Sequence, residues 1–177
     1  MYIGPGFVFL AVPRTASNTI TTLFLPQFGG CNTGEYHACC VPHFHRHKFT
    51  FAVVRNPYDR MLSCWYHLRR NDQIFNIRSM DFPELMQLLK DKWGPDGRSQ
   101  AEFLSYSRID RVLRYENLAE EVLDLPFNLD RLPWPTEVRN SEERPPWQEE
   151  LQRHPDWVEI INRHSAHDFE RFGYDRL

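Results

Sequence analysis

Phe49-Thr-Phe-Ala-Val-Val-Arg-Asn-Pro-Tyr-Asp-Arg-Met-Leu-Ser63 is the stretch that decides the fold. Its first six residues are apolar, aromatic or β-branched, without the alternation of a half-exposed strand. They predict a strand over 49–54 that is buried on both faces. Pro57 stands where the first turn of a helix tolerates it, and Met61, Leu62, Trp65 and Leu68 recur at helical spacing, so a helix is expected from Pro57 to Arg70. A buried strand leading directly into a helix is the βα unit of a parallel sheet. Arg55 falls at the carboxyl end of that strand, where open α/β sheets place ligands, and Ser63 follows about two turns into the helix. An arginine fork and a hydroxyl suit a terminal phosphate, which takes charge-assisted bonds at several oxygens.

Working outward, a second run of the same kind, Phe7-Val-Phe-Leu-Ala-Val12, precedes Pro13-Arg-Thr-Ala-Ser-Asn-Thr19 and the helical stretch Ile20 to Leu25. A strand, a tight turn of small hydroxyl residues and a helix start make an anion cradle. The first N–H groups of a helix are unpaired, and its dipole adds positive potential. Ser17, Asn18 and Thr19 are candidate side-chain donors, and Arg14 sets a fixed positive charge at the mouth. The loop is no Walker A motif, because GxxxxGK[ST] is absent. A third strand is expected over 111–115, before a short helix at 117–123. Asp81 with Glu84 forms a capping-box signature for a helix to Lys92. Pro155 to Phe172 reads as one C-terminal helix, and the stretch from Leu125 to Pro146, with five prolines, as an ordered loop. The expected fold class is α/β, a three-layer, P-loop-like domain with a small parallel sheet flanked by helices, one domain over 1–177.

Composition narrows the function. Apolar residues at 41% and aromatics at 14% are globular values. Lys and Arg total 21 against 24 Asp and Glu, a formal charge of −3, which argues against a nucleic-acid partner. The first positive residue, Arg14, follows the apolar run 7–12 instead of preceding it, opposite to a secretory leader, and that run is too short to cross a bilayer. The four cysteines, Cys31, Cys39, Cys40 and Cys64, form no CxxC pair and no disulfide framework. These features predict a cytoplasmic protein with reduced thiols and no membrane partner.

Pro13 to Thr19 and Arg55 to Ser63, including the whole RNPYDR string, resemble the two phosphate-binding elements of the sulfotransferase superfamily. Val112-Leu-Arg-Tyr-Glu-Asn-Leu118 and Asp168-Phe-Glu-Arg-Phe-Gly-Tyr174 are similar to segments of its carbohydrate-type branch. The resemblance implies transfer of a sulfuryl group from 3′-phosphoadenosine 5′-phosphosulfate to an acceptor hydroxyl on a carbohydrate or small metabolite. It implies no metal. By motif position, Arg14, Thr15, Ala16, Ser17, Asn18 and Thr19 would hold the 5′-phosphosulfate, and Arg55 and Ser63 the 3′-phosphate, with Arg144 (or Arg139) as a further basic contact. Arg14 replaces the family's more usual lysine. An arginine stabilises charge on the leaving oxygen but does not readily give up a proton. Ala16 stands where a glycine is common, and Asn18 where a hydroxyl residue is common.

An acceptor hydroxyl calls for a general base, and histidine suits neutral pH. By position ahead of the second of the two strands, His37 looks most like the family's base, with His45 second and Glu35 a further candidate. The tract His37, Cys39, Cys40, His43, His45, His47 also admits a zinc reading, but its spacing matches no familiar zinc pattern. Arg69, Arg70 and Arg78 fit an acceptor cleft or a solvated helix face equally well. The five tryptophans read as packing residues. Two rival functions stand beside the transferase. A P-loop kinase lacks its Walker lysine here, whereas a sulfotransferase-like nucleotide-binding or interaction domain would bind the bisphosphate without turnover.

Overall fold

The computed structural model describes residues 1–71, 77–92, 97–137 and 144–177. Trp93 and Arg139 lie outside them. The chain divides into two compact units, one of Met1–Arg55 with Phe103–Ser141, the other of Asn56–Glu102 with Glu142–Leu177. Strands and helices are numbered along the chain.

The first unit is built on a five-stranded sheet in the order β3-β1-β2-β4-β5, with β1 Tyr2–Ile3, β2 Phe7–Leu10, β3 Cys31–Asn32, β4 Phe49–Val54 and β5 Arg111–Arg114. β2, β4 and β5 run parallel, in the register Phe9 to Phe51 and Ala52 to Val112. This is the predicted parallel core. The sheet is nonetheless mixed, because β1 pairs antiparallel with β2 and with β3. Strands of two residues, as β1 and β3 are, carry no periodicity that a sequence reading can detect. Gly30, at φ +110°, lets β3 approach β1, since a Cβ there would sit 2.3 Å from the Ile3 carbonyl oxygen.

Phe7, Phe9 and Ala11 alternate with Val8, Leu10 and Val12, and both sets are buried, as expected of strands covered on both faces. The first set packs with Phe51, Val53 and Leu113 against Ile20, Phe24, Leu118 and Val122. Each Phe, Val, Leu or Ile among them contributes about 1.5–3 kcal/mol on burial. The proline-rich stretch, where described, is an ordered loop that closes this core. Phe127 stacks on Phe7 at 3.9 Å, and buried Asn128 ties Val122 to Leu132 through three hydrogen bonds. The helical part of this unit consists of short pieces. α1 (Ser17–Thr19) runs into a π-turn, Ile20–Phe24, and a 3₁₀ turn, Leu25–Phe28; α5 is only Leu118–Glu121.

The second unit is helical: α2 Pro57–Asn71, α3 Phe82–Lys92, all but the last residue of α4 Gln100–Phe103, α6 Trp147–Arg153, α7 Asp156–His164 and α8 Ala166–Phe172. α2 begins as read, with Asn56 accepting from the Tyr58 N–H (3.0 Å) and Pro57 in the first turn. The capping box of α3 is formed, Glu84 N–H to Asp81 Oδ1 at 2.9 Å and Asp81 N–H to Glu84 Oε2 at 3.0 Å. Met61, Leu62 and Trp65 face Phe82, Leu85, Trp157 and Phe169 in one aromatic-rich core. The single helix expected over 155–172 is broken at Ser165, and α6 arises where no helix was expected, directly after Pro145-Pro146. Among the described residues no helix is long and apolar enough to cross a membrane.

Candidate active site

The cradle loop owes its shape to the carbonyl that ends the first apolar run. The ladder of β2 stops at Leu10, and Val12 turns its carbonyl inward to accept the Thr15 hydroxyl at 2.9 Å and the Ser17 hydroxyl at 2.5 Å. Both hydroxyls are buried and give their protons to this carbonyl. They lock the loop and keep only lone pairs for anything else. Ser17 was expected as a donor to an anion, and in this arrangement its proton is already committed.

Arg14 and Ala16 both take left-handed backbone angles, at φ 66° and 63°. Two positive-φ residues just before a helical turn make a backbone concavity of the kind that binds anions through its N–H groups. Left-handed backbone costs a non-glycine residue about 1–2 kcal/mol. Ala16→Gly is therefore expected to stabilise the protein by about 0.5–1 kcal/mol, after the added freedom of the unfolded chain is deducted. Thermal unfolding checks it, with a rise of about 1–4 °C expected. A lower melting temperature would show that Ala16 is not left-handed.

The loop is tied to its neighbours on both sides. Arg55, which follows β4, donates Nη1–H to the Arg14 carbonyl at 3.2 Å. Its guanidinium lies 4.0 Å over the ring of Tyr115, which follows β5. His37 is anchored through Nδ1 on the Ala11 carbonyl at 2.7 Å. A carbonyl only accepts, so Nδ1 carries the proton and Nε2 is the basic nitrogen of the ring. Tyr36 packs edge-on to His37 at 4.7 Å, and its hydroxyl meets Thr21 Oγ1 at 2.9 Å. Burial raises the Tyr36 phenol above its ordinary value, and the Thr21 bond partly offsets the rise. Arg14, Thr15 to Thr19, His37 and Arg55 are thus gathered at the carboxyl ends of β2 and β4. Asn18 contributes its carbonyl, which accepts from Thr22 at 2.7 Å, and Thr19 is buried.

His45 is not brought to that group. It closes a 3₁₀ turn, His43–His45, on the segment entering the amino end of β4, where Lys48 reaches the Gly4 carbonyl at 2.6 Å and the Phe49 N–H reaches Gly6. The two histidines lie toward opposite ends of the parallel strands, and only His37 stands by the cradle. Among the described residues no three His, Cys, Asp or Glu side chains are gathered as metal ligands, and no disulfide joins the four cysteines.

In the second unit, Ser63 is buried on α2. One turn earlier Asp59 holds Arg144 in an ion pair between two largely buried side chains. Arg60 is 1% exposed and donates to the Arg98 carbonyl at 3.1 Å. The RNPYDR string therefore divides its work. Arg55 ends the sheet, Asn56 and Pro57 start the helix, Tyr58 and Arg60 enter its core, and Asp59 fixes Arg144.

A family model described as the sulfotransferase family matches residues 5–175, nearly the whole chain. The protein belongs to the sulfotransferase family. No curated protein and no solved structure matches the chain. For this sulfotransferase, sequence reasoning found the residue types of the cradle but missed Ala11 and Val12, whose backbone carbonyls anchor the base candidate and the loop, and Tyr115 under Arg55. A carbonyl has no residue signature. Tyr115 stood inside a motif already noted, though nothing in the sequence pairs it with Arg55.

Proposed function

We propose that the protein is a sulfotransferase that uses 3′-phosphoadenosine 5′-phosphosulfate and transfers its sulfuryl group to a hydroxyl of a carbohydrate or small metabolite. The observation that carries this reading is the left-handed pair Arg14 and Ala16 in a loop bonded to Arg55, within a chain of this family.

In the proposed step the acceptor oxygen forms a bond to sulfur as the bond from sulfur to the 5′-phosphate oxygen breaks. Adenosine 3′,5′-bisphosphate leaves, and the acceptor proton passes to His37 Nε2. Transfer of this kind rests on in-line positioning and on stabilising charge at the leaving oxygen. The N–H groups of residues 14–17 and the Arg14 guanidinium supply that charge stabilisation. Arg14 stays protonated, so the leaving phosphate oxygen departs as an anion held by a fixed cation. Arg55 and Ser63 are proposed as 3′-phosphate contacts by their motif positions, and Arg144 as a further basic contact.

The test is incubation with ³⁵S-labelled donor and a panel of glycans and hydroxyl metabolites, with Arg55→Ala as control. Label should appear in an acceptor with the parent protein. In Arg55→Ala, affinity for adenosine 3′,5′-bisphosphate should fall by about 10–150-fold, the loss of one charge-assisted phosphate contact. Ser63→Ala should lose less. Binding of the bisphosphate without any labelled product would favour a nucleotide-binding domain over an enzyme.

A further inference from the structure

We propose that Tyr115 is a positioning residue for Arg55, and that through Arg55 it sets the preference for nucleotides carrying a 3′-phosphate. The inference rests on the reading of Arg55 as the 3′-phosphate contact.

Arg55 is the first residue past β4, and an arginine at a strand end has four flexible torsions to order before it meets a ligand. Two fixed groups order it here. The Arg14 carbonyl takes one Nη1–H at 3.2 Å, and the Tyr115 ring lies 4.0 Å under the guanidinium carbon. The ring is itself fixed. Tyr115 begins a 3₁₀ turn, Tyr115–Asn117, immediately after β5, and its side chain packs on the core that includes Leu113 and Leu118. β5 is paired with β4 up to the partners Val54 and Arg114, so the residues that follow the two strands, Arg55 and Tyr115, emerge side by side. The parallel register brings the cation over the ring.

A guanidinium stacked on an aromatic face keeps its N–H groups in the plane of the fork, directed outward at the edge. Stacking occupies the face of the cation and not the edge through which a guanidinium meets oxygen anions. A cation–π contact that is partly desolvated contributes enough to change affinity by about tenfold. The consequence is selective. A ligand without a 3′-phosphate makes no use of Arg55, so its affinity is indifferent to how well Arg55 is held.

The experiment is calorimetric titration of the full chain with adenosine 3′,5′-bisphosphate and with adenosine 5′-phosphate, for the parent, Tyr115→Phe and Tyr115→Leu. The parent should prefer the bisphosphate. Tyr115→Leu should lose about tenfold of that affinity with 5′-phosphate binding unchanged, and Tyr115→Phe, which keeps the aromatic face, should behave as the parent. A preference that survives intact in Tyr115→Leu, or an equal loss for both nucleotides, overturns this inference while leaving the reading of Arg55 in place. No preference in the parent overturns that reading and this inference with it. Should Tyr115→Leu fail to fold, the parent still decides. The Arg55 guanidinium proton resonance should be shifted upfield by the Tyr115 ring current, and an unshifted signal overturns the contact.

Discussion

Replacing His37 with alanine is expected to slow sulfuryl transfer by about 10²–10⁴-fold, the span of a lost general base, while binding of adenosine 3′,5′-bisphosphate stays unchanged. The expectation comes from the ring's anchoring. With Nδ1–H given to the Ala11 carbonyl at 2.7 Å, the imidazole is held in one tautomer, and its basic Nε2 belongs to a ring fixed beside the cradle loop. An unanchored histidine would spend part of its time in the wrong tautomer. His37→Gln separates the two jobs. Its amide can still donate to Ala11 but cannot accept the acceptor's proton, so it should preserve the melting temperature and lose as much rate as His37→Ala. Single-turnover measurement with labelled donor reads the chemical step directly. The pH–rate profile adds a second check, since a base works only when unprotonated. The parent's rate should therefore fall on the acid side, and that limb should vanish in the variants. If His37→Ala keeps the parent's rate and His45→Ala loses it, the base is the histidine that the structure places near the amino end of β4.

The contrast between those two histidines shows what kind of information the sequence carried. Two apolar runs of six residues, each followed by a proline turn, were enough to specify parallel neighbours, because strands buried on both faces leave an unmistakable composition. The caps of α2 and α3 were equally legible, since Asn56, Pro57, Asp81 and Glu84 act locally. What stayed hidden acts through the backbone or across distance. Arg14 and Ala16 are left-handed although neither residue type favours it. The conformation is imposed by Thr15 and Ser17 both reaching back to Val12. The break at Ser165 involves neither proline nor glycine, so periodicity alone read one helix across it. The proline pair before Trp147 reads as a loop signal, yet proline ahead of a helix is equally a start signal.

The RNPYDR string makes the same point about motifs. It is specific enough to suggest the family, but only Arg55 belongs to the unit that carries the sheet, and the boundary between the two units falls immediately after it. Four of its other five residues serve the start or the core of α2, and the fifth holds Arg144. A motif can thus be diagnostic of function while most of its letters encode folding.

The C-terminal motif is the stronger case, because its first residue carries a large expected stability effect through polar contacts alone. Asp168 is completely buried on α8, and its carboxylate is filled by donors from the start of α4. Oδ1 accepts the Ala101 N–H at 2.7 Å, and Oδ2 accepts the Gln100 N–H at 3.0 Å and the Gln100 side-chain amide at 3.3 Å. Two orphan N–H groups of a helix start are thereby satisfied by a residue 67 positions along the chain. Arg171 grips the same place from one turn on, donating to the Ala101 carbonyl at 2.9 Å. Asp168→Ala would remove the acceptor that these buried donors share, at about 1–3 kcal/mol each, so a loss of at least about 3 kcal/mol is expected. Asp168→Asn keeps one acceptor oxygen but turns its NH₂ toward a donor, and should lose about 2 kcal/mol. Denaturant unfolding should show the two midpoints falling in that order, and in Asp168→Ala the melting temperature should drop by about 6–12 °C. Nucleotide affinity in the surviving folded protein should be unchanged, since none of these bonds involves a residue proposed to touch the donor. If Asp168→Ala unfolds at the parent's midpoint, the carboxylate does not hold α4, and the ending of the motif must be explained by something other than this cap.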